Sequence, residues 1–299
     1  MHDTCKFVFA IPLKPRVACD DWEVVQDNLR RTIRSIRGTR NAEYFIAIAC
    51  HDVPDLHEGS GSDLSVLTVP FAPESDVVQG GEDKIRKRHF IGAWLRENLK
   101  ADAAYVMFLD ADDLVHKDVV CYVLSDDNRR SYVAERGYEY DCRTGILGRR
   151  TRGFPGVCGS CFISYFQKDE LPRSWDDKEC AYTQFTLHRE YDIAAAGLGK
   201  NADPIPFHAV IYLANHRESL RLKRPGGRLR ELDLFNLVWP GQARAILVND
   251  FSVSDDDRPV TGVAGIGSFA CGVLASSFRR IRRRVNNYVF GAVPAPGPR

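Results

Sequence analysis

The 299-residue chain is 44% hydrophobic, enough for one large α/β domain or two modest ones with a substantial core. Its 41 basic and 40 acidic side chains nearly cancel, so bulk charge argues for neither a nucleic-acid nor a polyanion partner. Nine cysteines, an odd number and mostly set in apolar runs, exclude a disulfide framework and suit a reducing cytoplasm.

In chain order, the apolar run Lys6–Ile11 before Pro12 predicts a buried parallel strand. No small-residue cleavage pattern follows it, so no signal peptide is expected. Trp22–Ile36 predicts a helix with Val25, Leu29, Ile33 and Ile36 on one face, capped by Asp20 or Asp21 and ended by Gly38. Tyr44–Ala49 and Leu64–Val69 predict two more strands, and Lys84–Leu99 a helix. Ala104–Leu109 predicts a fourth strand and Val115–Leu124 a further helix. Ser131–Phe166 reads as strands broken by a basic loop at 149–153, with a strand over Val157–Phe166, and Ala209–Leu213 as a late strand. Strands alternating with helices predict an α/β fold, a Rossmann-like mixed sheet with helices on both faces. Residues 1–248 form the predicted catalytic domain. Residues 249–299 form a linker around Ser254–Asp257, an amphipathic helix with arginines at 279–284, and a Pro-rich disordered end. That helix suits contact with the inner face of an anionic membrane, packing back on the catalytic domain, or a subunit contact. It lacks the interleaved aromatics of a nucleic-acid site, and Pro259–Phe278 is too rich in Gly and Ser to span a bilayer.

The sharpest chemical feature is Asp110-Ala111-Asp112-Asp113, delivered at the tip of an apolar strand. Crowded carboxylates repel one another and call for a counter-charge, which Mn²⁺ or Mg²⁺ can supply. The same residues also read as a solvated turn with Asp113 capping the next helix. In open α/β sheets ligands bind beyond the carboxyl ends of the strands. Lys14 and Arg16, His51 and Asp52, and the acidic cluster all fall there. Lys84, Lys87 and Arg88 before a helix could meet a diphosphate. Cys158-Gly159-Ser160-Cys161 has metal or redox spacing but no second ligand pair and no following helix, so it reads as two strand thiols.

Over roughly residues 5–220 these features resemble the family 2-type glycosyltransferases of the GT-A fold. The likeness rests on Phe9-Ala10-Ile11-Pro12, on Asp52 after the second strand, on Asp83-Lys84 before the fourth, and on the Asp-x-Asp itself. It implies that Pro12, Asp52, Asp83, Lys84, Asp110 and Ala111 bind the nucleotide sugar, a UDP-sugar above all. It implies that Asp112 holds Mn²⁺ or Mg²⁺ on the diphosphate, with Asp110 nearer the ribose. It also implies that His216, after a late strand, is a further metal ligand, with His208 its competitor. An inverting transferase needs a base for the acceptor hydroxyl; Glu190 and Asp192 are the candidates, the acceptor being a glycan or a lipid-linked group. Lys14-Pro15-Arg16 and His51-Asp52 replace the family's commonest residues and mark a divergent branch. Two other readings stay open: an Asp-x-Asp phosphatase of the haloacid dehalogenase type, and a non-catalytic nucleotide-sugar-binding relative.

Overall fold

The computed structural model describes residues 6–41, 43–57, 61–73, 80–223, 229–230, 232 and 236–254. The Arg-rich helix expected near 279–284, the linker positions 255–257 and the Pro-rich end lie outside them. No helix among the described residues is long and apolar enough to cross a membrane.

The first half follows the hydrophobic pattern. Strand β1 (Phe7–Pro12) is buried throughout. Helix α1 (Trp22–Arg37) starts where the Asp21 carboxylate accepts the free N–H groups of Glu23 and Val24, and ends at Gly38. Strands β2 (Tyr44–Cys50) and β3 (Leu64–Thr68) precede helix α2 (Gly80–Asn98), and β4 (Ala103–Phe108) follows it. Because α2 already runs at Gly80, Lys84, Lys87 and Arg88 do not precede a helix. They lie inside one, at the i, i+3, i+4 spacing that puts them on a single face.

The region after β4 departs from expectation. Asp113–Val115 is a short strand, β5, and helix α3 begins only at Val119, running to Asp126. Asp113 therefore caps no helix. Strands β6 (Ser131–Val133), β7 (Gly137–Asp141) and β8 (Ile146–Arg150) follow; the expected basic loop is partly the end of β8, where Arg150 pairs with Glu139 at 2.6 Å. Strand β9 (Phe162–Gln167) starts later than the sequence suggests, leaving 157–161 as a turn. Helix α4 (Tyr191–Gly197), β10 (Ala202–Pro204), β11 (Val210–Ala214), the single turn α5 (Leu220–Lys223) and α6 (Pro240–Phe251) complete the described chain. Helix α6 carries the ordered fold a little past Val248.

The strands form two sheets. The larger is mixed, in the order β10-β6-β9-β4-β1-β2-β3, with β3, β2, β1 and β4 parallel and β9 antiparallel to β4. Helix α2 packs on β1 and β2, with Trp94 stacked on Phe45 at 5.6 Å. The crossovers β1–α1–β2 and β3–α2–β4 run in opposite directions along the sheet, which under the right-handed rule puts α1 and α2 on opposite faces. The smaller sheet has the order β5-β11-β7-β8. Its own apolar cluster, including Leu114, Tyr140, Leu147, Ile211 and Leu213, is closed by Ile246, Leu247 and Phe251 of α6. The chain passes from the larger sheet to the smaller between β4 and β5, within Asp110–Asp113.

Candidate metal and nucleotide site

The parallel strands β1, β2 and β4 end side by side, and hydrogen bonds tie their tips together. The backbone N–H of Arg16, beyond β1, donates to Asp52 Oδ2 beyond β2 at 2.8 Å. Lys87 of α2, fully buried, donates both to the Leu13 carbonyl and to Asp83, each at 2.6 Å. Burial lowers the Lys87 pKa, and the Asp83 carboxylate pulls it back up. His51 lies at 3.8 Å from Asp83. Asp83 is thus a buried brace between α2 and the strand tips, while Asp52 and Pro12 line those tips.

The three aspartates after β4 have different surroundings. Asp110 faces cations: Lys84 Nζ at 2.5 Å and Arg88 at 3.6 Å. Burial alone would raise its pKa, but those two charges more than offset it and hold the carboxyl below the usual range. Asp113 is fully buried. Burial, then the negative charges of Asp112 and Asp110, push its pKa well up and favour its neutral form. Ser160 donates to it at 2.5 Å and Cys158 at 3.2 Å. Ser160 Oγ in turn accepts the Asp110 N–H at 2.8 Å, so one hydroxyl fixes both ends of the motif. Cys158 and Cys161 are buried free thiols, as the strand-thiol reading holds, although they lie in the turn before β9. Burial pushes the Cys161 thiol up to about 12.

Asp112 is the open member, its side chain one-third exposed, and it meets His216: Oδ2 and Nε2 stand 2.9 Å apart across 104 residues of sequence. The histidine is fixed from behind. Arg31 donates to Asn28 Oδ1 at 3.0 Å, which turns Asn28 Nδ2 toward His216 Nδ1 at 3.4 Å. Nδ1 is therefore an acceptor, and Nε2 carries the proton shared with Asp112. His208, the competitor, is elsewhere: it stacks on Tyr138 at 4.6 Å, and burial lowers its pKa to about 4.

Two further clamps hold this arrangement. Thr32 of α1 donates to the Ala111 carbonyl at 3.0 Å, and Ser35 accepts the Val115 N–H at 3.0 Å. The Glu218 carboxylate, next to the His216 loop, accepts from Lys14 at 2.8 Å and Lys223 at 2.6 Å. It also accepts the backbone N–H groups of Asp20 and Asp21 at 3.0 and 2.9 Å. It hangs the end of β1, the start of α1 and the loop after β11 on one buried group. Sequence reasoning passed over Glu218, Ser160 and Asn28, whose roles depend on partners far along the chain.

The donor set fits a hard divalent cation. One ligand atom from each of Asp110, Asp112 and Asp113 falls within 4.8 Å of the others. Six ligands at about 2.1 Å space neighbouring donors by about 3 Å, the separation seen between Asp112 and His216. Ligation by Nε2 requires the other tautomer, with the ring hydrogen moved to Nδ1. Within that cluster Asp110 is engaged by cations and burial favours the neutral form of Asp113, while Asp112 is the open carboxylate, beside His216.

The turn before β9 and the start of α4 approach Asp110 through Gly159 and Tyr191. Gly159 packs so closely that a Cβ there would meet Asp110 Oδ2 at 3.0 Å and Lys84 Nζ at 3.2 Å. Arg88 donates a short hydrogen bond to the Tyr191 hydroxyl. Glu190 and Asp192 are exposed, whereas Tyr191 and Ala195 turn inward and His188 is half-buried. Among the described residues, no hydrogen bond or ion pair joins Glu190 or Asp192 to the aspartates.

Neither a family model nor a curated protein matches the chain.

Proposed function

We propose that the chain is a metal-dependent glycosyltransferase of GT-A type, moving a sugar from a nucleotide-sugar donor, a UDP-sugar above all, to a glycan or lipid-linked acceptor with inversion. The observation that carries the reading is the Asp112–His216 pair, a carboxylate from a strand-end Asp-x-Asp and a late histidine at ligand spacing. Asp112 and His216 would hold Mn²⁺ or Mg²⁺, which supplies charge neutralisation to a departing diphosphate. Lys84, beside Asp110, adds a cation on the same side. Asp52 and Pro12 stand at the neighbouring strand tips, where a base and ribose would lie. The parallel half of the sheet, with Asp52 beyond β2 and the Asp-x-Asp beyond β4, supports the same reading. The phosphatase alternative needs Asp110 as a nucleophile, but Asp110 is engaged by two cations, which weakens it in that role.

The test is a titration with UDP, GDP and dTDP, with and without Mn²⁺, on the protein and on Asp112→Ala. The expected result is Mn²⁺-dependent UDP binding that Asp112→Ala weakens at least about tenfold. Metal-independent binding, or no binding of any of the three nucleotides, overturns the reading.

A further inference from the structure

We propose that His188 is the base that takes the proton from the acceptor hydroxyl, an assignment that rests on the transferase reading above. Three observations converge on it. The first is position. His188 belongs to the segment whose next inward residue, Tyr191, is bonded to Arg88, the cation beside Asp110. Its ring lies within electrostatic range of both Lys84 and Asp110. Glu190 and Asp192, the carboxylates of the same segment, are exposed instead.

The second observation is the tautomer. His188 Nδ1 stands 2.6 Å from the Pro155 carbonyl oxygen. A carbonyl can only accept, so Nδ1 carries the hydrogen and Nε2 keeps its lone pair. A backbone acceptor on one ring nitrogen thus orients the imidazole and reserves the other nitrogen for a proton. Among the described residues nothing hydrogen-bonds Nε2, and the half-buried ring leaves it reachable from solvent. The third is charge. Burial lowers the His188 pKa; the Pro155 carbonyl raises it, Lys84 lowers it, Asp110 raises it and Arg189 lowers it, with a net fall. The ring is therefore neutral, and able to accept, at neutral pH.

The step balances without any outside reagent. The acceptor O–H proton passes to His188 Nε2 as the oxygen forms its bond to the anomeric carbon. The bond from that carbon to the diphosphate oxygen breaks, and its electron pair leaves with the nucleoside diphosphate. The products are the glycoside, the nucleoside diphosphate and an imidazolium, which returns its proton to solvent.

The variant that separates a base from a structural residue is His188→Asn, whose side-chain N–H can still reach the Pro155 carbonyl while the Nε2 lone pair is gone. UDP release from UDP-glucose, UDP-galactose and UDP-N-acetylglucosamine with Mn²⁺, water serving as acceptor, is compared with Mn²⁺–UDP affinity. Turnover is expected to fall about 10²–10⁴-fold, with the UDP dissociation constant within about twofold. Unchanged turnover overturns the assignment, as does a loss of UDP affinity as large as the loss of rate. In parallel, diethylpyrocarbonate, which acylates neutral, accessible imidazole nitrogen, is applied at neutral pH and mapped by peptide mass spectrometry. Modification of His188 well ahead of the buried His89 supports the assignment whether or not water is used as acceptor, and an unmodified His188 overturns it. Failure of the wild-type protein to bind Mn²⁺–UDP sinks the transferase reading itself and takes the assignment with it. Loss confined to His188→Asn leaves that reading standing.

Discussion

Asp110 and Asp112 are two residues apart and belong to different neighbourhoods. Asp110 sits at the end of the large sheet against Lys84 and Arg88, in a region braced by the buried Asp83–Lys87 pair. Asp112 sits at the start of the small sheet, beside one imidazole and partly in solvent. The first region has spent its charge on internal partners. The second keeps a carboxylate and a ring nitrogen within reach of a ligand. A motif laid across the seam of two sheets can thus be anchored on one side and available on the other.

The largest effect that would test this contrast is in the anchored half. Lys87→Met leaves Asp83 buried without its cation and is expected to cost about 3–5 kcal/mol, read from urea unfolding. A loss under about 1 kcal/mol would show that Asp83 is not braced as described. Next comes the seam: Ser160→Ala strips a donor from Asp113 and the acceptor of the Asp110 N–H, and is expected to cost about 1–3 kcal/mol by the same method. In the available half, His216→Gln is expected to weaken Mn²⁺–UDP binding at least about tenfold, or about 1.4 kcal/mol, by calorimetric titration. Equal weakening by a surface substitution far from the seam would remove His216 from the ligand set.

The smallest effect is a pH dependence. The folded-state pKa of Asp113 is raised, so its contribution to stability is complete below the ordinary carboxylate pKa of about 4 and is lost as pH rises through the folded value. Urea midpoints measured from acid to mildly basic pH should fall more steeply in the wild type than in Asp113→Asn, which has no charge to acquire. Parallel curves for the two proteins would mean that Asp113 does not titrate in this range.

The two regions also differ in how far they could be read without coordinates. Strands β1, β2 and β4 are continuous apolar runs buried on both faces, and Asp21 and Gly38 are local start and stop signals for α1. Each of these is a property of neighbouring residues. Strand β5 is not. Three residues form a strand only because Ile211 and Tyr212 of β11 pair with Leu114 and Asp113, while the local apolar spacing from Val115 onward is helical. The meeting of Asp112 with His216 was anticipated through family likeness, and the geometry brings the two together. The base is sought at 188–192 because that stretch is charged and aromatic. Which of those side chains turn inward depends on the phase of the turn opening α4, a tertiary matter: Tyr191 is buried and His188 half-buried, while Glu190 and Asp192 stay exposed.

The long reach of the Glu218 and His216 contacts sets a timetable for the growing chain. Asp112 leaves the ribosome 104 residues before its partner, and the backbone at Asp20 waits 198 residues for Glu218. At about 5–20 residues per second the first interval is on the order of 5–20 s. During it the parallel half can already fold, while the small sheet lacks β11 and β5 has no strand to pair with. The Asp112–His216 pair therefore forms late, on a scaffold already in place, and a nascent chain interrupted before residue 210 would carry the complete Asp-x-Asp motif without the histidine beside it.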